Sequence, residues 1–184
     1  QQKNSAAQRI YKLSEMKSLT ELVDRISFPF SLEVVTHYLG SERNIYIQAP
    51  ASEASNLEKL GAVEVDDYSI CGTKDTRLGA YLLPYEEEIK LSDIDIQKLD
   101  FSKINEVGEC AVVQFVFNGK KKGNLIMNVR VLAAAPSQFQ SKEIISSIKK
   151  SIPKLRSTDV RGDNFAARVC SRSFSETEKI LVPS

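Results

Sequence analysis

The sequence predicts an α+β fold: a mainly antiparallel β-sheet or β-sandwich with an N-terminal helix and a second helix near residues 141–155. Three observations carry this. The stretch "CAVVQFVFNGKKKGNLIMNVRV", from Cys110, sets two apolar runs around a glycine-flanked polar loop, as a hairpin does. Two segments repeat apolar residues every three or four positions, the spacing of a helix with one buried stripe. Between them, short β-branched and aromatic runs stop at glycine or proline. With 184 residues and 42% hydrophobic content, the chain can bury a core as one domain. The expected division is a helical segment at 1–27 packing on a single β-rich domain at 28–184.

The first helix is expected from Ser5 to Ile26, with Ile10, Leu13, Met16, Leu19, Leu22, Val23 and Ile26 as its stripe. Ser18-Leu19-Thr20-Glu21 has the capping-box pattern, so an alternative start lies at Ser18 after a break. Pro29 lacks an amide proton and ends the segment. "FSLEVVTHYL" and "NIYIQAP" have strand composition and stop at Gly40 and Pro50. "SEASNLEKLG" is helix-forming and ends at Gly61, suited to a left-handed cap. "AVEVDDYSICG" and "LGAYLLPY" return to strand, and residues 84–104 read as an irregular connection with one short element. In the hairpin, Ala111, Val113, Phe115 and Phe117 face one way while Cys110, Val112 and Val116 face the other. Such a strand is central and covered on both sides. Asn118-Gly119 signals the turn and Gly123-Asn124 closes it. Ile144, Ile145, Ile148, Ile152 and Leu155 form the apolar side of the second helix, which Pro153 bends or ends. Phe165 to Val182 reads as a final strand pair.

Net charge is +1, unevenly spread. Residues 51–100 carry five basic and twelve acidic groups, a balance of −7, and residues 101–184 carry fourteen basic and seven acidic groups, a balance of +7. Either folding interleaves the two regions, or the molecule is dipolar and its acidic side meets the basic side of a neighbour. The acidic candidates are Glu86, Glu87, Glu88, Asp93 and Asp95, and the basic candidates Lys120, Lys121, Lys122, Lys149, Lys150, Lys154 and Arg156.

No motif for catalysis, metal or cofactor emerges. A single histidine, His37, excludes HExxH and two-His metal sites. "GKKKGN" lacks the spacing of a phosphate loop, and there is no G-x-G-x-x-G. The acidic run lacks the sixth-position glycine and terminal glutamate of an EF-hand loop. A Cys-His pair would need His37 to meet Cys71, Cys110 or Cys170 in space, and Cys110 reads as an inert core thiol. Three cysteines, odd in number and far apart, imply no disulfide framework and lean toward an intracellular, reducing compartment. "RGD" at Arg161–Asp163 reads as a turn before a strand, not as an adhesion motif. No apolar run is long enough to span a membrane as a helix. The start "QQKNSAAQR", without methionine, is expected of a processed or trimmed chain, in which any signal peptide or anchor removed upstream would leave no trace.

The expectation is therefore an interaction or structural protein, leaning away from an enzyme. It would self-associate or bind a protein partner through complementary acidic and basic surfaces, as a subunit of a virus- or mobile-element-type assembly would. The alternative is a nucleic-acid or anionic-surface binder using Lys120–Lys122 and the basic helix at 149–156. A small hydrolase with a carboxylate site ranks third.

Overall fold

The computed structural model describes residues 7–37, 40–67, 77–85, 88–161 and 164–183. In chain order these form β1 (Gln8–Leu13), α1 (Leu19–Arg25), β2 (Phe30–His37), β3 (Gly40–Pro50), α2 (Ala54–Lys59), β4 (Ala62–Val65), β5 (Leu78–Pro84), β6 (Cys110–Lys121), β7 (Asn124–Ala134), α3 (Gln138–Lys150), β8 (Leu155–Ser157), α4 (Phe165–Ser171) and β9 (Ile180–Pro183). The strands join one antiparallel sheet in the order β4-β1-β3-β2-β6-β7-β5-β8, not a sandwich. The outer edge of β7 is shared: β9 pairs with Asn124–Met127 and β5 with Arg130–Ala133.

β6 is central, as its two apolar faces require. Ala111, Val113, Phe115 and Phe117 belong to the larger core, with Leu32, Val34, Ile45 and Ile47 of the neighbouring strands and Val129 and Val131 of β7. Helices α1 and α3 add Leu19, Leu22, Ile144, Ile145 and Ile148 to that side. Cys110 and Val112 face the smaller core, which α4 closes with Phe165, Ala166 and Val169. The connection at 84–104 holds two short 3-10 turns, Leu91–Asp93 and Ile96–Lys98, and buries Ile89, Ile94, Ile96 and Leu99. Among the described residues no helix is long and apolar enough to cross a membrane.

Four expectations need correction. Residues 8–13 are a strand between β3 and β4, and the helix starts only after Ser18, whose Oγ accepts the Glu21 amide hydrogen. The Ser5–Ile26 periodicity merged a strand's buried Ile10 and Leu13 with a separate helical stripe. Asn118-Gly119 is a bulge, not the turn: the register slips between Phe117 and Gly119, and pairing continues to Lys121↔Asn124. Residues 165–171 form a helix, because Phe165, Ala166 and Val169 lie on one helical face and bury there. Finally, Cys110 is disulfide-bonded, with its partner outside the described residues, while Cys170 is a free, exposed thiol. Sequence distance between cysteines had no bearing on their separation in space.

Alkylation of the native protein is expected to label Cys170 but not Cys110 until reductant is added. Reduction should then lower stability by about 2–4 kcal/mol in a urea titration. Gly79 allows α4 to dock: a Cβ there would lie 2.2 Å from the Phe165 ring and 2.8 Å from the Val131 carbonyl oxygen. The backbone of β7 cannot yield, so Gly79→Ala should cost about 1–3 kcal/mol by displacing Phe165, read from the urea midpoint at an unchanged slope.

Candidate functional site at the lysine-bearing end of the sheet

The β6–β7 hairpin outruns its neighbour. β2 pairs with β6 only as far as Phe30↔Phe117, so the last residues of β6 pair with β7 alone, with β9 beyond. The turn consists of Lys122 (φ 53) and Gly123 (φ 81), the paired positive φ of a type I′ hairpin. Glycine adopts that conformation freely, whereas a lysine there costs about 1–2 kcal/mol. Lys120, Lys121 and Lys122 are exposed, and among the described residues none makes a hydrogen bond or ion pair.

The second basic group reaches the same end of the sheet by a different route. Ser137 caps α3 by accepting the Gln140 amide hydrogen, and the buried isoleucines hold the helix along β7 and β5. After Ile152 and Pro153 the chain enters β8, which pairs with the end of β5 through Pro84↔Leu155. Because β5 runs antiparallel to β7, its end points toward the hairpin turn. Lys149, Lys150, Lys154 and Arg156 therefore share an end of the sheet with Lys120–Lys122, with β9 between the two groups.

These cations are not equally free. Lys149 donates to the Tyr85 hydroxyl at 3.1 Å and lies 5.4 Å from the centre of that ring. Lys154 pairs with Asp93 at 3.4 Å. The Asp93 carboxylate is held below its usual pKa first by the Lys90 amide, then by Lys154. Lys150 and Arg156 are exposed. Pro84, Tyr85, Glu88, Ile89, Pro153, Lys154 and Arg156 line a cavity of about 590 Å³. Glu88 contributes an exposed carboxylate to it, whereas Asp95 accepts the Gln97 amide hydrogen in its own turn. Glu86 and Glu87 lie outside the described residues, as does Cys71.

Elsewhere the acidic and basic stretches interleave. Arg9 meets Glu64 at 3.6 Å and Arg172 meets Asp67 at 3.1 Å. Glu53 is buried and accepts the Ser27 amide hydrogen at 2.9 Å. His37 sits opposite Cys110 in the β2–β6 register, but the disulfide leaves Cys110 no thiolate for a Cys-His pair.

Sequence reasoning missed a buried polar row on the α4 side of the sheet. The registers align Glu33 of β2, Gln114 of β6 and Arg130 of β7. Gln114 Nε2 donates to Glu33 at 2.7 Å and to the Val169 carbonyl at 2.8 Å, and its Oε1 accepts from Arg130 at 2.9 Å. Arg172, in a left-handed conformation just after α4, binds Glu33 with two nitrogens at 2.6 and 3.2 Å. Burial works against its charge, but Glu33 and Asp67 outweigh burial and raise its pKa. Asn128 accepts the Ser175 amide hydrogen at 2.6 Å and donates to the Ser175 carbonyl at 3.0 Å, so the chain after α4 is tied to the sheet. The signal was present: Glu33, Gln114 and Arg130 each stand between two apolar neighbours in the sequence of their strands.

No protein-family model and no curated protein matches this sequence, so the residues and their geometry carry the functional reading.

Breaking the Glu33–Arg172 pair should be costly because one charge stays buried alone. Arg172→Met is expected to lose about 3–5 kcal/mol in chemical denaturation. The double variant Arg172→Met with Glu33→Met should recover part of that loss.

Proposed function

We propose that this protein is an interaction module that self-associates or binds an acidic partner through the lysine-bearing end of its sheet. The observation that carries this is the coexistence at that end of charges of both signs that have no partner among the described residues: Lys120–Lys122 at the turn, Lys150 on the helix beyond β9, and Glu88 on the cavity rim. A patch carrying both signs is complementary to a second copy of itself across a two-fold axis, with the lysines of each copy facing the carboxylates of the other. A head-to-tail contact between an acidic and a basic face has less support, since Asp67, Asp93, Glu64 and Glu53 are engaged within the chain. The Cys110 disulfide favours an oxidising compartment over a reducing one.

A second reading, nucleic-acid binding, draws on Lys122 alone. A lysine kept at a position that favours glycine or asparagine retains its charge at a cost in stability, and such local conflicts cluster at functional sites.

Light scattering at low and high salt tests the first reading. A dimer at low salt that dissociates as salt rises, and is absent in the triple variant Lys120→Glu, Lys121→Glu, Lys122→Glu, is expected; a monomer under every condition would refute it. Fluorescence anisotropy with a labelled duplex tests the second. It requires log K to fall against log salt with a slope of about −2 to −3 for three phosphate contacts. Lys122→Asn should weaken that binding while stabilising the fold by on the order of 1 kcal/mol. Equal binding by the triple variant would eliminate the nucleic-acid reading.

A further inference from the structure

We propose that the α4 side of the sheet holds a second site, independent of the lysine end, that binds a small phosphate-bearing ligand. The site is a cavity of about 230 Å³ lined by Tyr81, Arg161, Asn164, Phe165, Arg168, Ser175, Thr177 and Glu178. Its volume lies below the roughly 300–1,000 Å³ of pockets that take drug-sized ligands. A phosphate carrying a ring or short chain fits that scale better than a nucleotide.

Two features define the chemistry. Arg161 and Arg168 both line the cavity, and among the described residues neither guanidinium makes a hydrogen bond or ion pair. Arg161 is nonetheless anchored: its backbone forms an isolated β-bridge with Gly79, through bonds of 2.8 Å in both directions. The arginine of the "RGD" tripeptide is thus fastened to the sheet, while Gly162 and Asp163 lie outside the described residues. Arg168 projects from α4, whose Phe165 and Val169 are buried in the smaller core. Both cations are therefore carried on fixed backbone, and among the described residues they share one carboxylate, Glu178, whose pKa both help to lower.

The second feature is the charge balance around them. Among the described residues Glu178 is the one carboxylate in the lining, and it is already held by the Ser175 hydroxyl and by the Thr177 hydroxyl at 2.7 Å. Behind the cavity wall, Arg130 is fully buried, lies 5.4 Å from the centre of the Tyr81 ring and has an Nε with no hydrogen-bond partner. Among the described residues, the two lining guanidiniums and the buried Arg130 behind them stand against one carboxylate, an excess of two positive charges that complements a phosphate dianion. Guanidinium forks match phosphate oxygens in pairs. The rings of Tyr81 and Phe165, edge to face at 5.3 Å, provide an apolar wall for the organic part of a phosphomonoester.

Calorimetry and thermal unfolding with inorganic phosphate and with phenyl phosphate, against sodium chloride at matched ionic strength, test this. Both phosphates should bind saturably and raise Tm. Phenyl phosphate should bind more tightly because its ring rests on Tyr81 and Phe165. The double variant Arg161→Gln, Arg168→Gln should bind at least about 10- to 100-fold more weakly. Its unliganded Tm should stay close to wild type, because both side chains are exposed. The Lys120–Lys122 triple variant should bind phosphate as wild type does, which separates this site from the lysine end. An equal Tm shift from matched chloride, unchanged binding by the double arginine variant, or loss of binding in the lysine variant would overturn the proposal.

Discussion

The α4 side of this sheet is organised around a buried charge. Arg172 and Glu33 lose almost all contact with water, and a pair so desolvated is favourable only when its geometry is good and its other polar atoms are satisfied. Both conditions hold. Arg172 binds Glu33 with two nitrogens and reaches Asp67 with a third contact, while Gln114 satisfies Glu33 on one side and Arg130 on the other. The row fixes more than itself. It holds the end of α4 over the central strands, so Phe165, Ala166 and Val169 are pressed onto Val112 and Leu132. It also ties down the chain leading to Glu178 and β9 through Asn128. Apolar residues in place of the pair would restore part of the stability but would direct the α4 segment less sharply, because apolar packing carries little direction.

The two faces therefore solve different problems. The larger core needs only bulk and fit, which the isoleucines of α3 and the aliphatic strands supply. The α4 side has a shorter cover and depends on close approach, visible where Phe165 lies against Gly79. Tyr81, beside Gly79 in β5, then serves two neighbours: its ring packs on Phe165 and lies against the Arg130 guanidinium. A short helix on a polar row leaves gaps at its margins, and the cavity at Arg161 and Arg168 is one of them.

Much of this was legible in the sequence, and the failures have physical causes. β6 and β7 were legible because a strand apolar on both faces has few other places to go. α3 was legible because Ile144, Ile145 and Ile148 keep helical spacing, but Ile152 and Leu155, read into the same stripe, lie beyond its end at Lys150, and Leu155 belongs to β8. Residues 8–13 were misread because Ile10 and Leu13 fit helical spacing by coincidence, and only partners 32 or more residues away, Ile45 and Gln48 among them, decide for a strand. α4 was misread because Val169 and Cys170 carry strand propensity, whereas docking on the smaller core selects a helix. The basic and acidic candidates were visible as composition, but composition could not show that Lys154 meets Asp93 while Lys120–Lys122 meet nothing among the described residues. The disulfide and the arginine-lined cavity were invisible because each depends on residues far apart in the chain.

The hairpin turn shows how structure sharpens a sequence signal. Asn118-Gly119 and Gly123-Asn124 both look like turns, and local chemistry alone favours the asparagine-glycine pair. The sheet decides otherwise: β9 supports β7 from Asn124 to Met127, so extending the ladder to Lys121 keeps more backbone groups paired than turning at Asn118 would. That choice forces Lys122 into the left-handed region and pushes all three lysines beyond Phe30, the first residue of β2. Their exposure is thus a consequence of sheet pairing: β2 stops short of them, and β9, which reaches Asn124, brings no charged side chain. The charge is left for whatever docks there.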